Sequence, residues 1–378
     1  MNRFDDIRPY YDEEIPEAMQ RIAESTSFPL LSSYVFPKRH IEDVREELKG
    51  YKTIRDFQIG VMYHANNQII NKSISSFTYG GFELLSKDKN YLYVSNHRDI
   101  MLDAALMQNI LIDHDFDTCE ITFGANLMQG QVVIDVGKSN KMFKVERPGG
   151  SVKEFYKSSL HLSDYIRTVI TERGQSVWIA QRNGRTKDGI DRTDQGIIKM
   201  FGMSRRDDKI ESLAELNIVP IAVSYEWESC DVMKAIELYA RRQGPYLKKP
   251  GEDLNSILTG ISQYKGRVHI EFCKPVTKED LLPFDNSTSG DFNRQVAELL
   301  DERICKAYRL TPNNYIAHDL RYGKTEFSDK YTTEEKQAFL KHCEKLSKYT
   351  EECDIDTLID IFLGIYSEPV ESKKRYDN

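Results

Sequence analysis

A histidine and an aspartate stand with five residues between them in the run Asn96-His97-Arg98-Asp99-Ile100-Met101-Leu102-Asp103. A carboxylate that holds one imidazole nitrogen fixes the tautomer and stabilises the protonated ring. The other nitrogen is then free to take a proton from a hydroxyl. His97 reads as such a base and Asp103 as its orienting acid. The residues from Ile100 to Ile112 are apolar nearly all round, as expected of a helix inside a core. Asp103 would sit in the middle of that helix, where an unpartnered carboxylate costs on the order of several kcal/mol or takes up a proton. His97 is its nearest partner along the chain; a bond to a neighbouring loop is the other reading. Asp99 suits the helix N-cap, which leaves Asp103 for the imidazole.

Three further segments carry chemistry. Trp178-Ile179-Ala180-Gln181-Arg182-Asn183-Gly184-Arg185-Thr186-Lys187 is a strand emptying into a basic turn. Gly184 permits positive φ or close backbone approach, and Arg182, Arg185 and Lys187 suit a phosphate. A solvated basic loop is the plain alternative. In Lys141 to Gly150 a strand ends at Arg147, and Pro148-Gly149-Gly150 turns into the next helix. Residues 217 to 226 form an apolar strand holding Pro220, which marks a strand start or bulge and a wall of the site. Strand ends offering a His–Asp pair and several arginines describe one crevice, able to hold a hydroxyl beside a phosphate.

These segments need a scaffold. Strands are expected at Tyr91–Ser95, Cys119–Phe123, Met142–Glu146, Ser176–Gln181, Ile218–Tyr225 and Val268–Phe272, with helices between, such as Val152 to Arg173, stopped by Gly174. Alternation of this kind predicts an α/β fold with a largely parallel central sheet flanked by helices. Ligands bind such sheets at the carboxyl ends of the strands. Residues 1–85 read as a helical region (Glu13 to Ser25, Arg39 to Lys49, Tyr51 to Ser73), 86–280 as the core and 281–378 as helical again. The final stretch from Glu371 is expected to be disordered. The apolar, uncharged run Phe28 to Pro37 suits packing onto the core or contact with a bilayer surface.

Composition excludes several classes. A net charge of −8 argues against general nucleic-acid binding. The six cysteines (Cys119, Cys230, Cys273, Cys305, Cys343, Cys353) lack short paired spacing, so no metal site or disulfide framework is expected and core filling is their role. No run reaches the ~18 apolar residues of a spanning helix, and the first residues lack a signal-peptide pattern, so a cytoplasmic location is expected.

At this point the chain resembles the glycerolipid acyltransferase family, the glycerol-3-phosphate and 1-acylglycerol-3-phosphate acyltransferases. Four blocks carry the resemblance in order: His97 with Asp103; Phe143 to Arg147; Gln181 to Lys187; and Ile218 to Tyr225 with its internal Pro220. The Ser-Tyr-Glu ending of the last resembles the glycerol-3-phosphate branch. The resemblance implies His97 as general base, Asp103 as orienting acid, and Arg147, Arg185 and Arg182 on the acceptor phosphate. It implies no bound cofactor, acyl-CoA or acyl-carrier protein as donor, and direct attack on the thioester without a covalent intermediate. It implies too an apolar channel for the acyl tail and peripheral docking on the inner membrane surface, with Leu30, Leu31, Val35 and Phe36 as docking candidates.

Two departures stand out. The His–Asp spacing is one residue longer than the family's usual one, so either the turn absorbs it or Asp99 takes the acid's role. Asn183 stands before Gly184 where the third block normally offers a glutamate nearby. A different lyso-lipid acceptor, such as a lyso-aminolipid, and a degenerate lipid-binding member are therefore the rival readings. A kinase loop at His97-Arg98-Asp99 fails because Ala104 occupies the required asparagine position, and no Gly-x-Ser-x-Gly is present for a serine hydrolase. Gly137-Lys138-Ser139 ends like a P-loop, but Val132 replaces its first glycine.

Overall fold

The inner strands of the central sheet present apolar side chains to both faces. Leu92, Val94, Val177 and Ile179 join one apolar cluster; Tyr93 and Trp178, pointing the other way, join a second. Strands buried on both sides read as continuous apolar runs, which is why most were recognisable. A computed structural model gives the fold and describes residues 3–146, 151–351 and 353–377. Seven strands form the sheet: β1 (Ile74–Gly80), β2 (Leu92–Ser95), β3 (Glu120–Gly124), β4 (Met142–Val145), β5 (Val177–Ala180), β6 (Ile218–Tyr225) and β7 (Gly266–Phe272). Their order is β1-β7-β6-β2-β5-β3-β4. All pairings are parallel except β6 with β7. The fold is the expected α/β layer structure, with β2 and β5 adjacent near its centre.

One strand departs from expectation. β1 lies inside the segment read as helical, directly after the helix Tyr63–Ser73. Its sequence, Ile-Ser-Ser-Phe-Thr-Tyr-Gly, pairs with β7 alone and stays largely exposed. An edge strand of that kind needs little apolar surface, so its pattern is faint. Nor does Pro220 start or bulge its strand: it is the third residue of β6, buried between β2 and β7. Its carbonyl accepts from the Cys273 amide at 2.9 Å. The missing N–H costs the sheet little there, because Pro220 stands opposite Cys273, one residue past the end of β7.

Helices complete both faces. The helix Leu102–Asp113 packs on the Tyr93 and Trp178 side. The helices Val152–Thr171 and Ser289–Ala307 cover the other, through Tyr165, Ile166, Phe292, Val296 and Leu300. N-terminal helices gather around Ile15, Met19, Val44 and Phe57, and C-terminal ones around Phe339, Phe362 and Tyr366. Residues 371–377 are not disordered. The helix Ile355–Asp377 runs through them, with Val370 buried, Glu371 bonded to His318 at 2.8 Å and Lys374 to Glu326 at 2.6 Å. Among the described residues no helix is long and apolar enough to cross a membrane.

Candidate active site

The turn after β2 holds His97 over the carboxyl edge of the sheet. Residues 98–101 are non-helical, and the helix begins at Leu102. That late start absorbs the extra residue of spacing. It also moves Asp103 from the expected mid-helix position into the first turn, where free amides and the helix dipole favour a carboxylate. Asp103 Oδ2 accepts from His97 Nδ1 at 2.9 Å, from the Arg98 amide at 2.7 Å and from the Asp99 amide at 3.0 Å. Its Oδ1 accepts from the Tyr225 hydroxyl at 2.9 Å. Asp99 does not face His97. It caps the helix by accepting from the Met101 and Leu102 amides, each at 2.9 Å, and it accepts from the Ser229 hydroxyl.

With Nδ1 donating to a carboxylate, Nε2 is the acceptor nitrogen of the neutral ring, and His97 lines a cavity of about 1100 Å³. The Trp178 ring stands edge-on to His97, 5.7 Å between centroids, and lines the same cavity. Most of the remaining wall is apolar. Met101, Leu102, Ala104 and Ala105 come from the helix after the turn; Phe28, Leu31, Val35 and Phe36 come from the apolar N-terminal run, which folds as the helix Phe28–Val35 and its C-cap. Leu31, Val152, Phe155 and Tyr156 line the cavity and are also exposed, so they form its rim.

The basic turn after β5 sits beside His97. The Thr186 amide donates to the His97 carbonyl at 2.7 Å. Arg182, Asn183 and Gly184 line the cavity, and Gly184 has φ +76°. Neither Arg182 nor Arg185 forms an ion pair with a carboxylate among the described residues, and Arg185 Nη1 is buried without a hydrogen-bond partner. Lys187 lies elsewhere: its ammonium pairs with Glu237, which also accepts from Arg241 at 2.8 Å. Burial depresses the Lys187 pKa, and Glu237 works against that. Pro220 is absent from the cavity wall. Arg147 lies outside the described residues; Lys144, Val145 and Glu146, just before it, line the cavity.

One cluster was missed by sequence reasoning. Arg98 is fully buried, with Nη2 on Asp191 at 2.6 Å and Nη1 on Glu228 at 3.3 Å, under the Tyr308 ring. Burial opposes its charge, but Asp191, Tyr308 and Glu228 outweigh it and hold the guanidinium pKa well above the ordinary value. Lys234 donates to the Arg98 carbonyl at 2.7 Å and to Glu228 at 2.5 Å. Asp191 also accepts from Asn96 and Thr186, each at 2.9 Å. Two cations and two anions thus lock the His97 turn to the basic turn. Gly189, at φ +82°, closes that turn against the C-terminal helix, since a Cβ there would collide with the Ile365 carbonyl. The signal in the sequence was Arg98 itself, a cation between two expected buried groups, which demands carboxylates from elsewhere.

A hydrogen-bonded His–Asp pair at the carboxyl edge of a mostly parallel sheet thus opens onto a large, mainly apolar cavity. Residues 76–224 match the family described as Acyltransferase. The match overlies the four blocks, and the protein is an acyltransferase. The 1-acyl-sn-glycerophosphate (LPA) acyltransferase PlsC from Thermotoga maritima is similar to it at 14% identity, over 78% of this chain and 95% of that one, with a TM-score of 0.36. No curated relative matches the chain.

Proposed function

We propose that this acyltransferase moves a fatty acyl chain from a thioester to the hydroxyl of glycerol-3-phosphate or 1-acylglycerol-3-phosphate. The observation that carries this is the His97–Asp103 pair opening onto a cavity lined by apolar side chains and by Arg182. His97 Nε2 takes the acceptor's proton as its oxygen bonds to the thioester carbonyl carbon. The tetrahedral intermediate then expels the thiolate, which leaves with the proton from the imidazolium. Asp103 steadies that cation. Arg182, on the cavity wall, and Arg185, in the same turn but not on that wall, receive the acceptor phosphate, neither having a carboxylate partner among the described residues, while the acyl chain lies in the apolar cavity. The donor is acyl-CoA or acyl-carrier protein, and no bound cofactor takes part. The enzyme docks peripherally on the inner membrane surface through Leu30, Leu31 and the exposed rim at Val152, Phe155 and Tyr156.

The test is purified protein with a labelled acyl donor and a panel of glycerol-3-phosphate, 1-acylglycerol-3-phosphate and a lyso-aminolipid, products read by mass. His97→Ala should lower the rate by roughly 10²–10⁴-fold. Arg185→Ala should raise KM for phosphate acceptors with little change in kcat. Equal rates for His97→Ala and wild type would remove the base from the scheme. A preferred acceptor without phosphate, insensitive to Arg185→Ala, would favour the lyso-aminolipid.

A further inference from the structure

A carboxylate has two oxygens, and the two of Asp103 are treated differently. Oδ2 is occupied by His97 and two backbone amides; Oδ1 faces the Tyr225 hydroxyl, at 2.9 Å. Tyr225 is the last residue of β6, 122 positions along the chain from Asp103. Its ring is 1% exposed, packed in the same apolar cluster as Tyr93 and Leu106, so the hydroxyl has a fixed address. In a dry site a phenol that donates to a carboxylate draws charge from it and pins its orientation.

We propose that Tyr225 is a positioning residue for the transfer: its hydroxyl holds the second oxygen of Asp103 and thereby sets how strongly that carboxylate pulls on the His97 ring proton. A tyrosine, an aspartate and a histidine form one line from the sheet to the cavity. The donor side of the line is secure. Burial, with Asp103, Asp99 and Glu228 around it, keeps the phenol protonated far above neutral pH. The groups around the line are those three carboxylates, Arg98 on the His97 turn and Lys265, whose pKa burial lowers to about 8 against the pull of Asp99. None of the others donates to Oδ1, so no other group in the described structure substitutes for the phenol.

The proposal rests on His97 being the base, and the experiment separates the two claims. Tyr225→Phe removes one oxygen and leaves the ring. Asp103 then keeps more of its charge, the imidazolium is better stabilised, and the acid limb of the kcat/KM profile moves upward by roughly one pH unit. The rate at the plateau falls by roughly 10-fold through kcat, because Asp103 loses the donor on its Oδ1, while acceptor KM stays put. Placing 3-fluorotyrosine at 225 makes a stronger donor without loss of any atom, and moves the limb the opposite way. In an Asp103→Ala background, Tyr225→Phe has no further effect on rate, since it acts through that carboxylate. Ser224→Ala, next on the strand but bonded to the Arg309 amide, leaves the profile in place. If His97→Ala abolishes transfer yet neither Tyr225 replacement moves the limb, this inference is wrong and the base assignment stands. If His97→Ala is fully active, the functional reading itself has failed.

Discussion

The cavity makes a quantitative claim about chain length. Each methylene moved from water into an apolar site is worth about 0.8 kcal/mol, or roughly fourfold in affinity, so a two-carbon step is worth at most ~15-fold. Partial self-burial of the free chain and the cost of ordering it reduce that ceiling. With about 1100 Å³ beside His97, kcat/KM for acyl donors should rise with each two-carbon step and then level off once the chain fills the space. Ala105 lines this cavity from the helix that begins at Leu102, and its side chain is a single methyl. Ala105→Phe puts a benzyl ring into the void rather than into packed core, so the fold is retained while the space shortens. The variant's plateau should come at least one two-carbon step earlier, with the longest donor losing up to ~15-fold in kcat/KM for each step lost. The assay is a chain-length series below the micellar concentration of each donor, at fixed acceptor. A flat series in the wild type, or a plateau that Ala105→Phe leaves unmoved, refutes the assignment of this cavity to the acyl chain.

The buried lattice around Arg98 predicts a stability effect. Lys234→Met strips Glu228 of its nearest cation and should cost about 3–5 kcal/mol in denaturant unfolding, while Lys234→Met with Glu228→Gln should recover a large part. An unchanged unfolding midpoint for the single variant would deny the lattice that role. Asp301 predicts a pH effect: burial raises its carboxyl to about 6, against the pull of two Thr193 donors. The folded state therefore keeps this proton longer than the unfolded chain, so the stabilisation is complete below ~4 and is lost as pH rises through 6. Asp301→Asn removes the titration and should gain on wild type across that window, by about 3 kcal/mol at most. Parallel stability curves for the two proteins between pH 4 and 7 would show that the group does not titrate there.

Much of this was legible because burial and chemistry leave marks in the same residues. An aspartate inside an apolar run needs a partner, and His97 was the nearest; the structure places them 2.9 Å apart. Central strands announced themselves as apolar runs, to within a residue or two at their ends. What stayed hidden had weak local signals. β1 is polar because one edge is free and its faces are largely exposed. The ordered tail is amphipathic rather than apolar, and its order comes from partners 48 to 53 residues away, Glu326 and His318. The lattice partners of Arg98 lie 93 and 130 positions distant, beyond any periodicity. The helix start at Leu102 depends on the capping carboxylate of Asp99, which had been recognised, but its consequence for the His–Asp spacing becomes visible only in three dimensions.

The lattice also explains why a buried Arg–Asp–Glu–Lys set persists where apolar packing would hold the fold as well. Buried ion pairs seldom beat hydrophobic replacements in stability, since desolvation consumes most of their attraction. Geometry is a different matter. A base acting on a hydroxyl must stand at hydrogen-bond distance from it, and that hydroxyl is located by whatever grips the rest of the acceptor. Here the turn proposed to grip the acceptor and the turn proposed to carry the base are separate loops from adjacent strands, β5 and β2. Apolar contacts allow such loops to slide. Directional bonds from Arg98, Asn96 and Thr186 to one carboxylate, Asp191, fix their separation from both sides. A conservative change there, Asp191→Asn, keeps the volume but turns one acceptor oxygen into a donor facing donors. Its effect should therefore appear as a raised acceptor KM together with a lowered kcat, the combined signature of two turns that no longer keep their distance.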